Sequence, residues 1–318
     1  MPELLDGGLS THLETLGATI GDDPLWSSKL LLSTEGVELI EMAHRHFLDS
    51  GSTILTTATY QAYVPTAAVS ATPNRSRDSL ISLFKIGVSA AKRSRDAFSV
   101  THPEKPRARV AVSLGSYGAV LANGAEFTGD FGGIAWGDLV EFHRAKLQVA
   151  VHAKPDLVAF ETVPSIFEAN AIVAALQKVA DACEEGIVLP PAWISFSCAS
   201  SDVSCAGDSV RECATAVKES PHIFGVGVNC TKPEYVLGIL RAYKDVLADT
   251  GKVLLCYPNK GETWDAESRG WVQESGIENV DAFGVLALEW IAAGAEVVGG
   301  CCRISPDHIN ALHDRLKH

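Results

Sequence analysis

An α/β fold, and within it a single (βα)8 TIM barrel, is the architecture that the sequence predicts. Short runs of apolar and β-branched residues recur along the chain, eight in all. Between most of them lie longer segments with apolar residues at helical spacing, and no linker-like stretch divides the 318 residues. Eight strand–helix units without a break are typical of this barrel, so we expect one domain over residues 1–318. A doubly wound sheet is the alternative, but it rarely has eight such strands.

The eight runs are interpreted as parallel strands buried on both faces. They are apolar throughout and lack the alternation of polar and apolar residues that a half-exposed strand shows. In chain order they read ELLDGG, STILTTATY, RVAVSLGSYG, DLVAFETVP, AWISFSC, FGVGVNC, VLLCYPN and AEVVGGCC.

Helices are predicted between the strands from their apolar spacing and their end signals. The segment STEGVELIEMAHRHFLDSG has Thr34 as its candidate N-cap and Gly51 as its stop. In SPDHINALHDRL, Ser305 is the candidate N-cap and Pro306 occupies the first helical position. DLVEFHRAKLQVAVHA and PEYVLGILRAYKDVLADTG show the same apolar spacing.

Composition and charge argue against several classes of partner. The chain has a net charge of −13, which disfavours binding to nucleic acid or to an anionic membrane. Its opening residues, MPELLDGG, lack the basic and apolar regions of a secretory signal, and no run approaches the roughly 20 apolar residues of a membrane span. We therefore expect a cytoplasmic protein with reduced thiols. The oligomeric state is unknown from the sequence.

Cysteines and polar residues follow the predicted strands, where the active site of this kind of barrel lies. Cys230 ends the sixth run, and the adjacent Cys301 and Cys302 end the eighth, so all three thiols are expected at one mouth of the barrel. The other polar residues in such positions are Asp6, Thr57, Tyr60, Ser116, Glu161, Ser197, Asn229 and Asn259.

These three cysteines are predicted to bind zinc, because catalytic Zn²⁺ takes three protein ligands and keeps a fourth position open. Neighbours such as Cys301 and Cys302 make a strained disulfide, since bridged Cα atoms normally lie about 5.5 Å apart. The C-x-x-C spacing of redox pairs is absent. The remaining cysteines are interpreted as buried apolar side chains: Cys183, Cys198, Cys205, Cys213 and Cys256.

An ordered set of motifs resembles the homocysteine S-methyltransferase family. GVNC and GGCC resemble its zinc-binding signature, and the likeness runs essentially from end to end. It is closest to the stand-alone enzymes that use S-methylmethionine or S-adenosylmethionine, whereas betaine-using relatives differ around TYQA. The motifs that resemble successive strand ends and loops of the family are DGGLSTHLETLG, DPLWSSKLL, TTATYQA, GSYGAVLANGAEFTGDF, FETVP and YPNKGE.

The resemblance implies roles for individual residues. Glu161 would hold the ammonium group of homocysteine, and Asp6 would help to bind the same amino acid. The backbone N–H groups of Gly7 and Gly8 would bind its carboxylate. An aromatic face attracts a sulfonium cation, so aromatic residues are expected on the donor side. The further candidates are Ser116 and Asn229 for the substrate, and Trp26 and Tyr60 for the donor.

Zinc-dependent transfer of a methyl group from a sulfonium to the thiolate of homocysteine, forming methionine, is the function that follows. A free thiol with a pKa near 8.5 is largely protonated at neutral pH, and coordination to zinc removes its proton. The sequence has no Gly-rich adenosine site, which favours S-methylmethionine over S-adenosylmethionine. Two alternatives stay open: a betaine-using methyltransferase, and a non-catalytic zinc-thiolate sensor, which would need neither Glu161 nor Asp6.

Overall fold

The computed structural model describes residues 1–71, 75–182, 188–261, 263–265, 270–272 and 276–317, so Cys183 and Glu262 of YPNKGE lie outside the described residues. All eight predicted strand runs form strands of one parallel sheet. An additional antiparallel hairpin, β8–β9, follows the seventh of these strands. The strands are β1 (Glu3–Leu4), β2 (Ile54–Thr56), β3 (Arg109–Gly115), β4 (Leu157–Val163), β5 (Ala192–Phe196), β6 (Ile223–Asn229), β7 (Val253–Tyr257), β8 (Thr263–Asp265), β9 (Gly270–Val272) and β10 (Ala295–Val298).

The eight-stranded sheet closes into a barrel. Consecutive strands pair in parallel from β2 to β7, and β10 pairs with both β7 and β1. A parallel bridge between Leu5 and Ile54 joins β1 to β2, and the Asp6 N–H donates to the Ile54 carbonyl oxygen at 3.0 Å. This arrangement confirms the predicted fold class. It also brings the carboxyl ends of all eight strands to one mouth, which is where the predicted site residues lie.

Helices connect the barrel strands and cover the outside of the sheet. The first long helix begins one residue earlier than the sequence predicts, because its N-cap is Ser33 and not Thr34: the Ser33 side chain accepts a hydrogen bond from the Gly36 N–H at 3.0 Å. Ser305 and Pro306 begin the last helix as predicted. None of the described helices is both long and apolar enough to cross a membrane. The helices are α1 (Leu9–Thr15), α2 (Thr34–Asp49), α3 (Arg77–Thr101), α4 (Tyr117–Leu121), α5 (Trp136–His152), α6 (Ile166–Asp181), α7 (Val210–Val217), α8 (Pro233–Leu247), α9 (Val280–Ala293) and α10 (Pro306–Arg315).

Two apolar clusters stabilise the barrel. The larger one packs the helices against the outer face of the sheet. The smaller one is formed by strand side chains on the opposite face, among them the fully buried Trp193 and Tyr257, whose hydroxyl accepts a hydrogen bond from the Trp193 indole at 2.9 Å. Because side chains alternate along a strand, the second cluster fills the inside of the barrel. It forms the floor beneath the polar groups at the mouth.

Candidate active site

Cys230, Cys301 and Cys302 meet at the mouth of the barrel. Their three sulfur atoms lie within 4.8 Å of one another, and the described residues contain no other group of three metal-binding side chains this close. The sulfur atoms of Cys230 and Cys301 are paired as a disulfide, with their Cα atoms 5.6 Å apart, and Cys302 has a free thiol. The sequence predicts reduced thiols, and the pairing differs from that expectation. Convergence brings the two Cα atoms to the usual disulfide separation.

The donor set suits a thiophilic metal ion when the cysteines are reduced. Thiolates select zinc and other soft metals, and three of them leave one coordination position for a substrate. A disulfide sulfur is not a thiolate, so these three residues could hold a metal ion only after the disulfide is reduced. Burial raises the pKa of Cys302 to about 11, and nearby carboxylates add to this effect. This thiol is therefore protonated at neutral pH unless a cation lies beside it.

Backbone contacts hold the loop that carries the cysteine pair. The Gly300 N–H donates to the Asp6 carbonyl oxygen at 3.0 Å, and the Cys301 N–H donates to that of Pro258 at 2.8 Å. Gly8 packs so closely on this loop that a Cβ atom there would lie 2.5 Å from the Cys301 carbonyl oxygen. Only glycine permits that approach. The loops after β1, β7 and β10 are thus joined around the cysteines.

Backbone strain is concentrated around the predicted site. Of the six non-glycine residues with positive φ in the described chain, four are site residues or their neighbours: Trp26 (49°), Thr162 (60°), Cys230 (47°) and Arg303 (66°). Such conformations cost on the order of 1–3 kcal/mol each and are typical of functional sites. Thr162 is β-branched, which makes its positive φ especially unfavourable. It is held by Asn229, whose Oδ1 accepts from the Thr162 N–H at 2.8 Å and whose Nδ2 donates to the Thr162 hydroxyl at 2.8 Å.

Three predicted substrate-binding residues have polar groups that are already engaged with protein. The Asn229 Oδ1 also accepts from the hydroxyl of a β5 serine at 2.9 Å, so this side chain positions the strand end beside Cys230. The Ser116 hydroxyl caps helix α4 through a 3.3 Å bond, and the Gly8 N–H donates to the Ile304 carbonyl oxygen at 2.8 Å. The Gly8 N–H is thus already occupied, and the role predicted for Gly7 stays a prediction. The direct substrate contacts of these residues remain predictions.

Asp6 and Glu161 are buried carboxyl groups in the barrel mouth, 1% and 8% exposed, and neither has an ion-pair partner among the described residues. The Asp6 carboxylate accepts a hydrogen bond from the Thr56 N–H at 2.7 Å. Burial raises its pKa, and the charge of Glu161 raises it further. Burial also raises the pKa of Glu161 to about 7, against hydrogen bonds from Ser113 and Tyr257 that favour its ionised form. A cationic group placed between these acids would stabilise both.

The hydroxyl groups that hold Glu161 are not anticipated from the sequence. Ser113 lies within the apolar strand β3, and a single serine in such a strand does not indicate a functional role. Tyr257 is the last residue of β7, and its hydroxyl also contacts the side chain of Ser195. Their role depends on which strands become neighbours across the barrel. Only the tertiary structure shows which strands are neighbours.

Tyr60 lies among the charged groups of the site. Burial, together with the charges of Glu126, Glu161 and Cys302, raises the pKa of its phenol, and the neighbouring Thr162 side chain opposes this shift. The other predicted donor-side residue, Trp26, is 38% exposed at the start of a 3-10 helix. Tyr60 thus lies near Glu161 and Cys302, and the donor-side roles of Tyr60 and Trp26 stay predictions.

Comparison with known sequences agrees with this arrangement. The sequence model of the family described as homocysteine S-methyltransferase matches residues 3–316. The chain belongs to this family. Homocysteine S-methyltransferase 3 of Zea mays is 40% identical over 319 residues, which cover 98% of this chain and 89% of that protein. Homocysteine S-methyltransferase 1 of Arabidopsis thaliana is 38% identical over 320 residues, covering 99% and 93%. The family predicted from the sequence motifs is confirmed.

This member of the homocysteine S-methyltransferase family has the same fold as the solved structures of a bacterial family member. The oxidised form of the homocysteine methyltransferase MmuM from Escherichia coli superposes with a TM-score of 0.83, and its metallated form with 0.82. Each is 29% identical and covers 99% of this chain and 96% of its own. The bacterial protein therefore has both an oxidised and a metallated state on the same barrel.

Proposed function

We propose that this protein transfers a methyl group from a sulfonium donor, with S-methylmethionine preferred, to the sulfur of homocysteine and so forms methionine. Zinc held by Cys230, Cys301 and Cys302 would be its cofactor, and residues 1–318 would form one homocysteine-binding domain. The observation that carries the proposal is the convergence of three cysteine sulfur atoms within 4.8 Å at the barrel mouth that also holds the buried acids Asp6 and Glu161. Membership of the family and the metallated relative support it.

Homocysteine binding combines the cysteines with the two acids. Bound zinc supplies a Lewis acid that keeps a coordinated thiol deprotonated at neutral pH. Glu161 accepts N–H bonds from the homocysteine ammonium, and the new positive charge favours the ionised carboxylate that burial otherwise disfavours. Ser113 and Tyr257 orient that carboxylate from the side and from the floor of the barrel. Asp6 adds a second negative charge from the loop after β1.

Methyl transfer itself requires no proton transfer to or from a protein side chain. The lone pair on the homocysteine sulfur forms the new C–S bond, and the electron pair of the broken bond stays on the donor sulfur, which leaves as a neutral thioether. The protein has to hold the two sulfur atoms in line and exclude competing nucleophiles. The partly buried ring of Tyr60 offers the donor an aromatic face.

A donor panel tests the proposal. Reduced, zinc-loaded protein is given homocysteine with S-methylmethionine, S-adenosylmethionine or betaine at equal subsaturating concentrations, and initial rates of methionine formation are measured. We expect the rate to fall in that order, since S-adenosylmethionine needs an adenosine pocket for which the sequence has no motif. A preference for S-adenosylmethionine would overturn the donor ranking alone. Zinc binding without methionine from any donor would favour the sensor alternative.

A further inference from the structure

Glu126, in the loop after β3, places a carboxylate at the barrel mouth. It lies in the 3-10 turn Ala125–Phe127, and its backbone carbonyl oxygen accepts a hydrogen bond from the Ser197 hydroxyl at 2.9 Å. Helix α4 packs so tightly on this turn that a Cβ atom on Gly118 would lie 2.3 Å from the Glu126 backbone nitrogen. The position of Glu126 is therefore fixed from two sides, by the residue that follows β5 and by α4.

One oxygen of this carboxylate has no partner. Oε2 of Glu126 is buried and has no hydrogen-bond partner among the described residues, although the residue as a whole is partly exposed. A buried carboxylate oxygen without a partner is costly, so a partner from outside the chain is expected for this oxygen. Buried amide oxygens of Gln61 and Asn259, in the loops after β2 and β7, also lack partners. The mouth thus presents several acceptors that protein groups leave unused.

Glu126 and Tyr60 pack on the same segment at the end of β3. A Cβ atom on Gly115 would lie 2.9 Å from the ring of Tyr60, and Gly118, three residues further on, is in contact with the Glu126 backbone. Glu126 thus lies on the side of the mouth that holds Tyr60, the predicted donor-side residue. Glu161 and Asp6 serve the acceptor ammonium in the proposed function, and each already receives hydrogen bonds from protein groups. An ammonium donates three N–H groups, whereas a sulfonium has none and needs only an opposite charge. A single unsatisfied carboxylate oxygen matches the second case.

We propose that Glu126 recognises the positive charge of the donor's sulfonium and so determines specificity for charged methyl donors. This inference rests on the proposed function. The sulfonium loses its charge as the methyl group leaves, so Glu126 stabilises the bound donor more than the transition state. Removal of its charge should therefore weaken donor binding without lowering kcat. This split distinguishes charge recognition from general damage to the site.

The test compares Glu126→Gln with the wild-type, zinc-loaded protein. The matched control is Glu219→Gln, the same change at an 85% exposed residue near the opposite end of the barrel. Equilibrium dissociation constants are measured by calorimetry for S-methylmethionine and for its uncharged carbon isostere, in which C–H replaces the sulfonium sulfur. In Glu126→Gln we expect S-methylmethionine to bind on the order of 10- to 100-fold more weakly, and the isostere to bind within about twofold of the wild type.

Other results would overturn the inference. Equal weakening of both ligands would mean that Glu126 binds the amino-acid part of the donor, and unchanged binding of both would mean that it does not touch the donor. A fall in kcat with unchanged donor KM would also contradict it. The proposed function is judged separately by methionine formation in the wild type. A wild type that makes no methionine, yet shows charge-selective binding lost in Glu126→Gln, would refute the reaction and leave the recognition of charge standing.

Discussion

Replacing Glu161 with glutamine separates two consequences of burying an unpaired acid. Glutamine keeps the size of the side chain and can still bond to Ser113 and Tyr257, but it removes the ionisable group. The variant should bind homocysteine poorly if the carboxylate holds the ammonium. It should also fold more stably than the wild type at alkaline pH, because the wild-type protein carries a buried negative charge with no cation beside it.

The size of the stability effect follows from the pKa. Burial moves the pKa of Glu161 from 4.5 to about 7. Each unit by which the pKa of the folded state differs from that of the unfolded state corresponds to about 1.4 kcal/mol. The native state is therefore unaffected below about pH 4, where the group is protonated in both states. It loses about 3 kcal/mol as the pH rises from about 4.5 to 7, and no more above that. Glu161→Gln should gain that amount relative to the wild type at pH 8 and nothing at pH 4.

Catalysis should respond in the opposite direction. Loss of one partner from a buried charge pair typically costs about 3–5 kcal/mol, so kcat/KM for homocysteine should fall on the order of 100-fold or more. In the wild type, the KM for homocysteine should rise as the pH falls below about 7, since protonation removes the carboxylate that binds the ammonium. This pH dependence should be absent from the variant.

Chemical denaturation at pH 4 and pH 8, steady-state kinetics over the same range and zinc analysis check these expectations, with Glu219→Gln as the control. Zinc content should not change. Near-normal kcat/KM for homocysteine in Glu161→Gln would place the ammonium site elsewhere. A variant less stable than the wild type at pH 8 would contradict the assignment of an unpaired, buried charge.

Two further substitutions test the cysteine centre and its support. Cys302→Ser should reduce the zinc content from about one ion per chain, measured by atomic absorption, and abolish methionine formation. The control Cys205→Ser, outside the cluster, should keep both zinc and activity. Full zinc content and activity in Cys302→Ser would refute the three-cysteine assignment. Asn229→Ala removes three buried hydrogen bonds that hold Thr162 and the end of β6. We therefore expect the free energy of unfolding, measured in urea, to fall by about 2–4 kcal/mol, and zinc to bind more weakly at Cys230. A variant of unchanged stability would show that this amide has no structural role.

The barrel could be predicted because its signal is local. Strands buried on both faces leave continuous apolar runs, and all eight runs, from ELLDGG to AEVVGGCC, form strands of the closed sheet. The hairpin β8–β9 has no such signal, since Thr263–Asp265 and Gly270–Val272 are three-residue strands outside the barrel sheet. The N-cap at Ser33 differs by one position because Ser33 and Thr34 are both good caps in sequence, and only the backbone conformation decides between them.

The site was predictable to the extent that it depends on strand order. Cys230 and Cys301 follow β6 and β10, and a closed parallel barrel brings such positions to one mouth whatever lies between them. Which polar groups remain free for a ligand depends instead on hydrogen bonds between distant segments. Asn229 has its oxygen taken by neighbours 34 and 67 residues away, and no pattern in the sequence indicates this. Glu126 lies several residues beyond the end of β3, so selecting the polar residues that directly follow a strand does not include it.

Negative charge at the barrel mouth connects these features. Asp6, Glu161 and Glu126 all have pKa values raised by burial, so each is disfavoured as a charge in the protein alone. The proposed ligands are a metal ion, an ammonium and a sulfonium, and each brings the positive charge that one part of this mouth lacks. A site built in this way binds cations by relieving a cost already present in the fold, which is why the same carboxylates can weaken folding and strengthen substrate binding. The proposed selectivity for a charged methyl donor would then require no contact with the methyl group itself.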